Sequence, residues 1–79
     1  MKKYFVNAVV NGDYSDSYYF NTLAEAKAFF DKKVKALRSD MIKENEQATI
    51  KFRKGDTWGY ELWSVDYENI DTASYTWED

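Results

Sequence analysis

Seven carboxylates and six Trp or Tyr residues alternate through residues 55–79 of this 79-residue chain, and any chemistry the protein performs has to be sought there. Asp56, Glu61, Asp66, Glu68, Asp71, Glu78 and Asp79 are interleaved with Trp58, Tyr60, Trp63, Tyr67, Tyr75 and Trp77, and no Lys or Arg falls among them. Paired carboxylates can act as acid and base on a glycosidic bond, and carboxylates at alternate positions can ligate Ca²⁺. A glycosidase needs one acid buried deeply enough to keep its proton near neutral pH, and a chain this short has little room to enclose a sugar. The densest acidic stretch, Asp66-Tyr67-Glu68-Asn69-Ile70-Asp71, lacks the central Gly of an EF-hand loop and the Glu six residues beyond it, so it reads as a solvated turn. Histidine is absent, which removes the commonest general base and the usual partner of a nucleophilic Ser. The expectation is a non-enzymatic protein with no cofactor and no metal.

Charge is divided along the chain. Residues 21–54 hold nine of the eleven basic residues against five acids, about +4 in formal charge, whereas residues 55–79 carry −7. Such a split concerns partners and steering rather than fold. Lys27, Lys32, Lys35, Arg38 and Lys43 form a basic series, but Glu25, Asp31, Asp40 and Glu44 are interspersed at spacings that allow ion pairs along a helix. With a net charge of −3, direct binding to duplex DNA is not expected, because its affinity comes largely from phosphate neutralisation.

Those residues must be held by regular elements. Tyr4, Val6, Ala8 and Val10 alternate with Phe5, Asn7, Val9 and Asn11, and Asn11-Gly12 is the dipeptide of a type I′ hairpin turn. The return strand runs from Tyr14 to Phe20, with Tyr14, Asp16, Tyr18 and Phe20 on one face and Ser15, Ser17 and Tyr19 on the other; Tyr on both faces leaves the register open by one residue. Thr22-Leu23-Ala24-Glu25 is a capping box. From it Leu23, Ala26, Phe30, Val34, Leu37 and Met41 recur every three or four residues, widened by Phe29 and Ile42, which predicts a helix ending between Glu44 and Gln47. Ala48, Ile50 and Phe52 then alternate with Thr49, Lys51 and Arg53 as a strand, Lys54-Gly55-Asp56 marks a turn, and Thr57 to Tyr67 reads as a long strand. A turn at Tyr67 to Asp71 and a short edge strand from Thr72 to Trp77 complete the pattern. The fold class is α+β, one domain over residues 1–79, with a mostly antiparallel four- or five-stranded sheet and one long helix on one face in the order ββαββ, a fifth strand being open. The element order is similar to that of β-grasp domains, including the immunoglobulin-binding domains of bacterial surface proteins.

Fifteen aromatic residues give this short chain a large buried area per side chain, and the absence of Cys means that neither a disulfide nor a thiolate zinc site is needed for folding. The opening Met1-Lys2-Lys3-Tyr4-Phe5-Val6 begins like a signal peptide, but Asn7 and Asn11 interrupt it and no small-residue cleavage site follows, so it reads as a strand. Apolar runs stop at three residues, as in Ala8 to Val10, so no membrane span is expected and a soluble, cytoplasmic protein is.

Aromatic residues are the side chains most enriched as interface anchors, and a rim of carboxylates selects a basic partner and accelerates encounter. Side chains on one strand face repeat every ~6.6 Å, close to the spacing of successive phosphates, so displayed Asp and Glu can occupy a groove built for nucleic acid. The contact candidates are Asp56, Trp58, Glu61, Asp66, Glu68, Asp71 and Trp77, with the acids steering and the Trp anchoring. In size, acidity, lack of Cys and compact α+β pattern the chain resembles the small proteins with which phages and other mobile elements block host defences, including anti-CRISPR and anti-restriction proteins. That resemblance implies an inhibitor of a basic nuclease or other nucleic-acid-handling enzyme, acting in the host cytoplasm if phage-encoded. The alternative is a ligand-binding or structural module that uses an exposed aromatic sheet face for single-stranded nucleic acid or glycan, or that self-associates as a homodimer through an edge strand.

Overall fold

The structure, a computed structural model, describes residues 2–42 and 53–77. Strand β1 (Tyr4–Val10), strand β2 (Asp13–Phe20), helix α1 (Leu23–Ile42), strand β3 (Thr57–Ser64) and strand β4 (Asn69–Thr76) follow one another in the expected ββαββ order. The strand expected over Ala48 to Arg53, apart from Arg53 itself, and the helix end expected between Glu44 and Gln47 lie outside the described residues, as do the side chains of Met41 and Ile42.

The first hairpin turns as its dipeptide dictates. Asn11 and Gly12 both take positive φ, 52° and 87°, the left-handed pair of a type I′ turn. At the start of α1 the Glu25 N–H donates to Thr22 Oγ1 at 3.2 Å, satisfying one of the orphan donors of the first turn. The Glu25 carboxylate returns a bond to Thr22, accepting from its hydroxyl at Oε1 over 2.9 Å. The apolar stripe then does its work from Ala26 onward. Ala26, Phe30 and Leu37 are buried, Phe29 and Val34 half-buried, while Leu23 in the first turn stays 40% exposed.

The sheet order is β2-β1-β3-β4, antiparallel throughout. The central pair is β1 with β3, so the likeness to β-grasp domains stays one of element order; the first and last strands do not meet. Val6 and Leu62 lie opposite one another in that pair, 0% and 1% exposed, and pack on Ala26 and Phe30. Each such large side chain contributes roughly 1.5–3 kcal/mol by leaving water. A second cluster joins Leu37 of α1 to Trp77, with Trp58, Tyr60 and Tyr75 against it.

The second hairpin turns earlier than the sequence pattern suggests. Ser64 closes it, its carbonyl accepting from Tyr67 N–H at 3.0 Å and its hydroxyl from Glu68 N–H at 3.2 Å, and Glu68 returns a bond to Ser64 N–H. The strand read as Thr57 to Tyr67 therefore stops at Ser64, and the short edge strand lengthens to Asn69–Thr76. Among the described residues no helix is long and apolar enough to cross a membrane.

Candidate functional site

Among the described residues one helix covers one face of a four-stranded sheet and nothing covers the other. Strand alternation sends Tyr4, Val6, Ala8 and Val10 toward α1, so Phe5, Asn7 and Val9 point the other way. Register then builds two rows across the open face. Phe5 lies between Tyr19 and Trp63, and Asn7 between Ser17 and Glu61. The first row is aromatic and the second polar. Opposed side chains on a sheet face sit within contact distance, and the Phe5 and Tyr19 rings are 5.6 Å apart and tilted by 37°.

Two irregularities add further rings. The β1–β2 register shifts after Ala8, which pairs with Asp16, whereas Val9 pairs with Tyr14; Ser15 is the extra residue of a bulge. Simple alternation puts Tyr14 on the face of Phe20, with which the sequence pattern grouped it while leaving the register open, and the bulge turns it to the open face. In the β3–β4 turn Tyr67 adopts φ 64° and remains 80% exposed. A bulky residue in the left-handed region costs roughly 1–2 kcal/mol relative to Gly, which makes the position noteworthy. Phe5, Tyr14, Tyr19, Trp63 and Tyr67 together wall a cleft of about 280 Å³ that opens to solvent, with Asn7 and Ser17 between them.

The polar groups of the cleft are organised. Asn7, only 8% exposed, is the buried polar residue of the described chain, and its Oδ1 accepts from the Ser17 hydroxyl at 2.6 Å. That bond engages Oδ1 of a residue that lines the cleft, and no acceptor for Nδ2 is found among the described residues. Glu61, half-buried, accepts from the Trp63 indole N–H at 2.9 Å, and its carboxylate also exerts a hydrogen-bonding influence on the Tyr14 hydroxyl. The Tyr14 phenol is pushed above its ordinary value, first by that hydrogen bond, then by the charge of Glu61, and then by burial. No Lys or Arg pairs with Glu61 among the described residues; the cations of α1 lie on the other layer, across the sheet.

The structure distributes the sequence-derived contact candidates among three places. Trp77 is only 7% exposed and Trp58 faces α1 beside it, so both rings belong to the core, and neither is a surface anchor as the sequence reading had it. Their position follows from register: Trp58 is opposite Val10 and Tyr75, on the helix side. Asp56 organises a junction. Its carboxylate accepts from Arg53 N–H at 2.9 Å and from the Asn11 amide at 3.3 Å, while Asn11 Oδ1 accepts from Thr57 N–H at 2.8 Å. The Arg53 backbone bond, aided by Asn11, Trp58 and the Arg53 charge, holds the Asp56 carboxyl below its ordinary value against a desolvation effect of opposite sign. Asp66 and Glu68 are exposed on either side of Tyr67, and Asp71 is exposed on the edge strand, where its carboxylate accepts from Thr72 N–H at 2.8 Å. Glu61 alone of the seven stands in the aromatic face.

Sequence reasoning passed over Phe5, Asn7, Tyr14, Tyr19, Trp63 and Tyr67. The available signal was that several strands carry apolar residues on both faces while one helix can cover only one. Among the described residues no three carboxylates converge as metal ligands would. Comparison of the chain with protein-family models, with curated proteins and with solved structures finds no match.

Proposed function

We propose that this chain is a non-enzymatic interaction protein that captures a basic, nucleic-acid-handling protein on the open face of its sheet and inhibits it, in the manner of small anti-defence proteins. The reading is carried by one observation: a half-buried carboxylate, Glu61, stands without a cationic partner among the described residues beside a cleft walled by five aromatic rings. Rigid aromatic side chains are the usual anchors of protein interfaces, and a carboxylate at their edge favours a positively charged counterpart. Asp66 and Glu68 at the rim, flanking Tyr67, add a field that attracts a basic partner from a distance. The basic side chains of α1 lie on the opposite layer, so the approach of such a partner is oriented toward the open face.

A second reading has one observation in its favour. Asn7 and Ser17 place an amide and a hydroxyl beside the rings, a combination that also suits a glycan hydroxyl pair.

Capture from a bacterial lysate at low and moderate salt, with nuclease treatment, begins the test. The retained protein is then purified and its nucleic-acid binding or cleavage assayed with the intact chain and with Glu61→Gln and Tyr67→Ala. Salt-sensitive inhibition that both substitutions weaken is the expected result. Retention of nucleic acid alone, of glycan-bearing material, or of nothing but the chain's own copies would overturn the inhibitor reading.

A further inference from the structure

We infer that the aromatic cleft of the open sheet face receives an arginine side chain of the basic partner, with Trp63 as the stacking surface and Glu61 as its counter-ion; the inference rests on the interaction reading above. The geometry is set by the bond from Trp63 Nε1 to Glu61 Oε1, 2.9 Å long. It pins the carboxylate at the edge of the indole, so a flat cation lying on the ring face has an acceptor at its own rim. A guanidinium meets both demands at once, because it is planar, stacks on aromatic faces and presents a fork of donors to a carboxylate. A compact ammonium meets only one at a time.

Glu61 keeps acceptor capacity for this role. A carboxylate offers about four lone-pair sites. Trp63 occupies one of them, and it and the neighbouring Tyr14 hydroxyl are neutral groups that leave the negative charge in place. That charge, half-buried and bonded to Trp63 at the side of the aromatic cleft, attracts a cation more strongly than a fully hydrated carboxylate would, since aromatic walls displace water and offer their own negative ring faces.

Two further features support an occupant that includes main chain. Asn7 is more than nine-tenths buried, lines the cleft, and has its Oδ1 taken by Ser17, which leaves the amide N–H groups as its remaining donors. A peptide carbonyl adjoining the arginine would accept from it. Tyr67 is held at φ 64° yet remains 80% exposed at the cleft margin. Backbone strain kept for an exposed ring points to a use for the ring.

The test is an NMR titration of the full chain with the peptide Gly-Arg-Gly, and with the same peptide carrying Lys or the neutral isostere citrulline in place of Arg. The Trp63 indole N–H, assigned with Trp63→Phe, and the Asn7 amide protons report the site. Saturable shifts with the Arg peptide are expected, weaker by about threefold with Lys, and lost with citrulline. Glu61→Gln, which preserves an acceptor for Trp63 and Tyr14, should weaken Arg binding by about tenfold and abolish its salt dependence. Equal shifts with citrulline, no shifts at millimolar peptide, or shifts that appear instead with a glucan oligosaccharide would overturn the inference. So would loss of the free face to a second copy, seen as concentration-dependent sedimentation. If the peptide fails while enzyme capture still depends on Tyr67 and Glu61, the arginine assignment fails alone; if capture itself fails, the interaction reading goes with it.

Discussion

Trp63 donates its indole N–H to the carboxylate of Glu61, two residues earlier on the same strand, at 2.9 Å. On a strand, residues i and i+2 share a face, so this short bond needs no long-range closure and holds two otherwise mobile side chains in one arrangement. The same carboxylate acts electrostatically on the Tyr14 hydroxyl from two strands away. The three residues therefore couple strand pairing directly to the shape of the cleft, which makes them the natural place to probe it.

The Tyr14 hydroxyl should titrate late. Its folded pKa is raised above the unfolded one by the Glu61 hydrogen bond and charge, so the bond contributes fully below about pH 10 and is lost as pH rises through the higher folded value. Tyrosinate absorbance should show a high-pH component that moves down in Glu61→Gln and vanishes in Tyr14→Phe. The second variant separates it from Tyr60, which burial also raises. A high-pH component left unmoved by Glu61→Gln would mean that the pair does not form in solution.

Tyr67→Asn should be more stable and bind less. Asn tolerates the left-handed region that the Tyr67 backbone occupies, and little buried area is lost from a side chain 80% exposed. A gain of about 0.5–1 kcal/mol in urea unfolding is expected, together with weaker capture of the partner. A loss of stability would show that the ring contributes to the fold instead.

Core and close-approach substitutions should separate from surface ones. Leu62→Ala removes a side chain 1% exposed and should cost about 3 kcal/mol, on the order of 15 °C in melting temperature for a domain this small. Gly59→Ala should also destabilise, because a Cβ there would collide with the Ala73 carbonyl oxygen and push β4 away. Val65→Ala, at an exposed turn position, should change stability by less than about 0.5 kcal/mol. Thermal melts followed by circular dichroism decide among these, and a Gly59→Ala protein as stable as the parent would contradict the tight β3–β4 approach.

Charge reversal at Asp66, Glu68 and Asp71 together should slow association with the basic partner by about threefold to tenfold and flatten its salt dependence while leaving dissociation little changed. These acids are exposed at or beyond the rim, so they act through the field and not through desolvated contact. Glu61→Gln should do the opposite, raising the dissociation rate. Surface plasmon resonance at two salt concentrations distinguishes the two patterns, and unchanged association in the triple variant would reduce the acidic rim to a solubilising surface.

The ββαββ order, the Asn11-Gly12 turn, the Thr22 cap and the helix stripe were all legible in the sequence, because each is set by residues within a few positions of one another. The excess of aromatic residues over what one helix can cover was legible too, in strands apolar on both sides. Tertiary structure alone decided which rings are core and which are surface. Trp58 and Trp77 went inward through pairing with Val10 and the docking of Leu37. Tyr14 went outward through a single unpaired Ser15, and Tyr67 stayed out on a turn closed by the Ser64 hydroxyl. Side chains alternate with a period of two along a strand, so one inserted residue or one early turn reverses every face assignment beyond it. A local pattern read in one dimension carries the period but not its phase, and the phase is fixed by cross-strand hydrogen bonds and by the side of the sheet on which the helix packs.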